Sequence, residues 1–276
     1  MRVHRARIAA FFLATVAATQ GFSALLAALR GPARKGDLFE WGLRANLAML
    51  VAGLMALLFA RLVLRKPVRP TLRLWLRPNR WWLAAWCLPA LLAGLSLALR
   101  LLVPGAQLVQ ARGPVPIPLP QRWDAMVAGL LASATVCLPG ALGEELAWRG
   151  LLRHELEPAG FWRSCLVIGL LWAGWHMPAV ILGGYAGGTA AGALALTANL
   201  LATTPLAMLL CERGGSVLAA ALFHASGSGM VAVGMLVKGG QGPLAVAAAH
   251  APALVSLGLA VVLRRAHVGR KFDSPL

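Results

Sequence analysis

The sequence predicts an all-α fold: a polytopic transmembrane helical bundle of about eight spans, one membrane domain over residues 1–276. Three observations carry this. Hydrophobic residues fill 59% of the 276 positions, and mean hydropathy is +0.73. Charged residues make up 13%, about half the ~25% of a soluble domain. The apolar runs are far longer than the ~10 alternating residues of a barrel strand, and lipid admits only helices or closed barrels.

The spans follow in order. They are Ile8–Leu29, Asn46–Leu64, Trp81–Val103, Ala125–Gly143, Ser164–Leu182, Ala190–Leu210, Ser216–Val237 and Pro243–Leu263. Most approach the ~20 residues that a helix needs to cross. The first follows Arg2, Arg5 and Arg7 and ends near Ser23 and Ala24, as a signal peptide would. Its apolar part is long for a cleaved segment, so it reads as an uncleaved span. The stretch 113–120 alternates proline with other residues and predicts extended polyproline-like backbone. Residues 65–80 mix Arg with Leu74, Trp75 and Leu76. That mixture predicts a segment lying on the inner leaflet among anionic lipids.

Charge sets the orientation. With the N-terminus inside, inner segments hold 17 of the 26 Lys and Arg residues and outer segments hold 7. The positive-inside rule then puts both termini in the cytoplasm and the chain in the inner (plasma) membrane. The net charge of +17 does not indicate nucleic acid, because the basic residues flank apolar runs and form no single soluble face. The four cysteines are scattered without a Cys-x-x-Cys pair, and read as small buried apolar residues rather than disulfides or thiolate ligands.

Against this background the acids stand out. Only nine Asp and Glu residues occur, and Glu144, Glu145, Glu155 and Glu157 fall within fourteen positions. A charge at bilayer depth costs at least ~2.5 kcal/mol, so adjacent carboxylates at the end of a span predict a polar site enclosed by helices. Glu145 and Arg149 are four apart and share a helical face. Glu144 points about 100° away, leaving it free of that partner and suited to act as a general base. An ordinary helix-end ion pair explains Glu145 and Arg149 but not Glu144.

Two histidines lie inside later apolar runs. His176 sits in Trp172-Ala173-Gly174-Trp175-His176-Met177-Pro178, where Pro178 is expected to kink or end the helix. Trp172 and Trp175 would shield His176 from lipid. His224 precedes Ala225-Ser226-Gly227-Ser228-Gly229. Ser228 shares its face, and Ser226, Gly227 and Gly229 permit close helix packing. His250 has no polar neighbour at helical spacing and reads as structural. One Glu with two His can activate a water in two ways. They can bind zinc, since His₂Glu is a catalytic ligand set. They can also work without metal, with Glu as base and His as oxyanion donors. The residues leave the cofactor open between Zn²⁺ and none.

Three motifs in this order resemble the CPBP intramembrane protease family, which includes the type II CAAX prenyl proteases and bacteriocin-processing or immunity proteins. The EExxxR motif is Glu144-Glu145-Leu146-Ala147-Trp148-Arg149. The FxxxH motif is Trp172 to His176, with Trp in place of Phe. The HxxxN motif is His224 to Ser228, with Ser in place of Asn. The resemblance covers residues 125–235 as a catalytic core. It implies a cavity opening toward the cytoplasmic side and peptide-bond cleavage near that membrane face. By matched position it implies that Glu144 activates the water, His176 assists and His224 holds the oxyanion. Glu145 and Arg149 would support the site, and Ser228 would take the second oxyanion position. The family's common label is metalloprotease; if a metal is used, Glu144, His176 and His224 would hold it.

The expected activity is therefore an intramembrane endopeptidase acting on a membrane protein or peptide, with anionic inner-leaflet lipid around it and no nucleic acid. A catalytically weak or inactive scaffold or bacteriocin-immunity factor is the alternative, favoured by Ser228. A hydroxyl reaches less far than an amide, and one lost oxyanion donor costs ~100-fold or more in rate. A proton-relay transporter would line many helices with polar groups. This chain concentrates them in spans four, five and seven.

Overall fold

The computed structural model describes residues 4–31, 38–108, 123–183, 185–230, 237–240 and 242–272. The proline-rich stretch 113–120 lies outside them. Long apolar sequence becomes long helix: α1 (Arg5–Arg30), α2 (Leu38–Leu58), α4 (Arg80–Leu101), α8 (Phe161–Gly183), α9 (Ala190–Arg213) and α11 (Pro243–Phe272). These six are long and apolar enough to cross a membrane. The chain is a multi-pass membrane protein.

The expected fourth span is broken. It forms α5 (Trp123–Ala134) and α6 (Leu138–Glu145), bent by 57°. Pro139 opens α6, a position where its missing N–H costs nothing, whereas it cannot continue the preceding helix. If the bent pair is counted as one span the total is seven, against the eight expected. Within the seventh expected span the described part is α10 (Val217–Gly229), 13 residues or about 20 Å; residues 231–236 lie outside the described residues.

The Glu144-Glu145 pair does not end a span. The helical path continues from α6 through a π-helical stretch Leu146–Leu152 into α7 (Arg153–Leu156) and a 3₁₀ turn. Likewise α8 does not stop at Pro178 but runs on to Gly183. Membrane bundles tolerate interior proline because neighbouring groups satisfy the freed carbonyl.

Glycines set how closely the helices approach. A Cβ on Gly53 of α2 would lie 2.6 Å from the Cα of Gly143 on α6, and one on Gly129 of α5 would lie 2.5 Å from the Gly229 oxygen of α10. Backbone therefore touches backbone immediately before Glu144. Gly227 has open space where a Cβ would be, so only Gly229 serves close packing. Short α10 packs against α4, α5, α6 and α9 and sits at the centre of the bundle.

The segment 65–80 has two faces. Its short helix α3 (Val68–Thr71) leads to Leu72, which is fully buried. The Arg73 carbonyl accepts from the Val217 amide (3.1 Å) and the Ser216 hydroxyl (3.2 Å), capping the start of α10. Outside, Leu76 is 74% exposed, and the guanidinium carbons of Arg69 and Arg77 stand 4.9 and 5.3 Å from the Trp75 ring. A two-residue antiparallel pairing joins β1 (Gln107–Leu108) to β2 (Val237–Lys238) at the opposite end. All four cysteines are free.

Candidate active site

Glu145 and Arg149 form a fully buried pair across one turn, with Arg149 Nη1 donating to Glu145 Oε1 at 2.9 Å. The same carboxylate oxygen lies 3.0 Å from His224 Nδ1 of α10. Arg149 Nη2 donates to Thr204 Oγ1 of α9 at 3.3 Å. Its guanidinium carbon stands 4.2 Å from the Trp172 ring, a cation–π contact in a dry setting. Five elements, α6, the π-helical stretch, α8, α9 and α10, are thus tied through one guanidinium and one carboxylate. The pair lies at the entry to the π-helical stretch, a rare distortion that recurs at functional sites.

Glu144 is not without partners. Its Oε2 accepts from the Trp148 indole N–H at 3.1 Å and from the Trp172 indole N–H. It is 1% exposed and sits directly behind Trp172. The Trp148 contact was legible in the sequence, since Trp148 stands four residues after Glu144 as Arg149 stands after Glu145. Trp172, expected to shield His176 from lipid, lies 6.0 Å from that ring and also joins Glu144, Arg149 and His224. Its ring meets His224 edge-on at 5.4 Å. Thr204 gave no sequence signal.

His176 Nδ1 lies 2.9 Å from the Trp172 carbonyl. A carbonyl only accepts, so Nδ1 carries the proton and Nε2 of the neutral ring carries the lone pair. Trp175 meets this ring edge-on at 4.9 Å, and Tyr185 lies nearly parallel to it at 5.7 Å. The Glu144 carboxylate is near enough to act electrostatically on both His176 and Tyr185. Tyr185 is a residue that sequence reading passed over, although it is the only tyrosine in the chain.

Trp172, His176, His224 and Ser228 wall one cavity of about 420 Å³. The rest of its lining is mostly apolar and comes from α4, α9, α10 and α11. Tyr185 also lines it; Glu144, Glu145 and Arg149 lie behind the wall. His250 is elsewhere, with Nδ1 3.2 Å from Asn199 Oδ1 of α9, a partner that helical spacing within α11 could not reveal.

The donor set does not fit a metal ion in this arrangement. Among the described residues no three His, Cys, Asp or Glu side chains converge on one point. Glu144 Oε2 faces two indoles, and His224 Nδ1 faces Glu145.

Residues 125–230 match the family model for the type II CAAX prenyl endopeptidases, Rce1-like. That segment, less than half of the chain, is similar to this family. It holds both carboxylates, Arg149, both cavity histidines and Ser228, and the family is one of CAAX-type intramembrane proteases. A search of curated proteins gives no match.

Proposed function

We propose that the chain is an intramembrane endopeptidase that cleaves a membrane protein or peptide with a water activated by Glu144. One observation carries this: His176, His224 and Ser228 share a cavity wall with Trp172, and Glu144 is held immediately behind that ring. The Rce1-like match supports it.

In this reading a water takes its place between Glu144 and the His176 Nε2 lone pair. Its oxygen bonds to the scissile carbonyl carbon, and the π pair moves to the carbonyl oxygen. The water proton passes to Glu144, which then delivers it to the leaving nitrogen as the C–N bond breaks. His224, protonated on both ring nitrogens and anchored by Glu145, donates Nε2–H to the oxyanion, and the Ser228 hydroxyl adds a second donor. Trp172 gives up its bond to Glu144 as the water enters. Trp172 is the central residue of the 23-residue α8, about 16 Å from either end. The scissile bond therefore lies at that depth, reached from the cytoplasmic side as the charge bias orients the chain. The Arg69–Trp75–Arg77 surface rests on anionic lipid of the inner leaflet.

A specific observation favours a second reading, an inactive scaffold or immunity factor: Glu144 Oε2 is already occupied by two indole donors. One experiment separates the two. The purified protein in lipid is given a quenched-fluorescent library of membrane-anchored peptides, beside Glu144→Gln, with and without a zinc chelator. Cleavage is expected from the wild type, with a loss of ~10² or more in Glu144→Gln. Cleavage that survives in a folded Glu144→Gln protein removes the base assignment. A folded wild type that cleaves nothing establishes the scaffold reading. The chelator arm decides between metal and metal-free chemistry.

A further inference from the structure

The connection from α8 to α9 is unusual backbone. Ala186 has φ 50°, one of three non-glycine residues with positive φ among those described, and Gly187 and Gly188 follow at 81° and 64°. A Cβ on Gly192 would overlap the Ala186 carbonyl oxygen, so the turn closes tightly on the first turn of α9. Thr189 caps that helix, its hydroxyl accepting from the Gly192 amide at 3.1 Å. Left-handed alanine persists only where its surroundings over-determine it, and such strain gathers at functional sites. Here the residue that the turn delivers is Tyr185, placed nearly parallel to His176 and on the wall of the cavity that holds His224 and Ser228.

The cavity needs what Tyr185 offers. Ser228 has one O–H and donates one hydrogen bond, and His224 spends Nδ1 on Glu145. A tetrahedral oxyanion is held by preorganised donors in a site shielded from water. We propose that Tyr185 is a further catalytic residue whose ring braces His176 and whose hydroxyl donates to the oxyanion at the scissile carbonyl. This rests on the proteolytic reading above. The phenol keeps its proton throughout, so the water proton still passes to Glu144 and then to the leaving nitrogen. Burial first, and then the Glu144 carboxylate, hold the hydroxyl above its ordinary value. It therefore stays a neutral donor at working pH.

Tyr185→Phe keeps the ring and removes only the hydroxyl. On the best substrate of the peptide library, kcat is expected to fall about 100-fold with KM within about twofold. Adding Ser228→Asn to Tyr185→Phe is expected to recover about tenfold, because an amide supplies a donor to the same oxygen. A merely structural role gives no such rescue. A second readout needs no turnover. With one tyrosine in the chain, [4-¹³C]tyrosine labelling yields a single resonance. It is expected to shift when a peptidyl phosphonate, which mimics the tetrahedral oxyanion, occupies the cavity of the Glu144→Gln protein. Unchanged kcat in folded Tyr185→Phe with Glu144→Gln inactive overturns this inference alone, as does an unmoved resonance with phosphonate bound. Turnover that persists in Glu144→Gln overturns the proteolytic reading itself.

Discussion

Glu145 sits between Arg149 and His224, with its side chain fully buried. Its Oε2 and the Arg149 Nε have no hydrogen-bond partner among the described residues. Such a pair is a poor source of stability, since the desolvation of both ions offsets their attraction, but breaking it strands a charge. Arg149→Met is expected to destabilise the fold by about 3–5 kcal/mol, read from unfolding in detergent. The double variant Arg149→Met with Glu145→Leu is expected to regain most of that stability while losing cleavage. A double variant as unstable as the single one would show that neighbours, not the stranded carboxylate, carry the cost. At this scale much was legible: the i,i+4 relation of Glu145 to Arg149 needs only helical geometry. The indole donors on Glu144 were half legible. Trp148 follows from the same spacing, whereas Trp172 comes from another helix.

Among the elements, α10 decides the site. It is too short to cross, and it is held at its start by the Arg73 carbonyl and near its end by Gly129 of α5. Gly229→Ala forces the α5–α10 backbones apart and is expected to lower the Tm clearly. Gly21→Ala, on α1 with open space at its Cβ, is expected to be neutral or slightly stabilising because Ala is the better helix former. Equal shifts in the two variants would remove close backbone approach as the reason for Gly229. The sequence predicted a span over Ser216–Val237, of which residues 231–236 lie outside the described residues. The broken fourth span has a local origin: Pro139 starts a helix rather than continuing one.

For the whole molecule, the orientation we propose is the one that Lys and Arg placement favours. We expect a C-terminal fusion to fluorescent protein to fluoresce and one to periplasmic alkaline phosphatase to be inactive, as for an end in the cytoplasm. The reverse pattern would invert the bundle and put the cavity's access on the other side. The Arg153–Glu212–Arg264 chain, at 3.0 and 2.8 Å, ties α7, α9 and α11 together.

Composition by itself determined that this chain is a helical membrane bundle, because lipid leaves long apolar runs no other form. The order of its motifs placed the polar residues in the same segment that matches the Rce1-like family model. Tertiary structure alone decided what those residues face. Glu144 of α6 meets the Trp172 indole at the middle of α8, His224 joins Glu145 across two helices, and Tyr185 folds back onto His176. Helical periodicity specifies neighbours within one element. Contacts between elements depend on where glycines let backbones meet and where prolines break them, and those distances are set only when the helices pack.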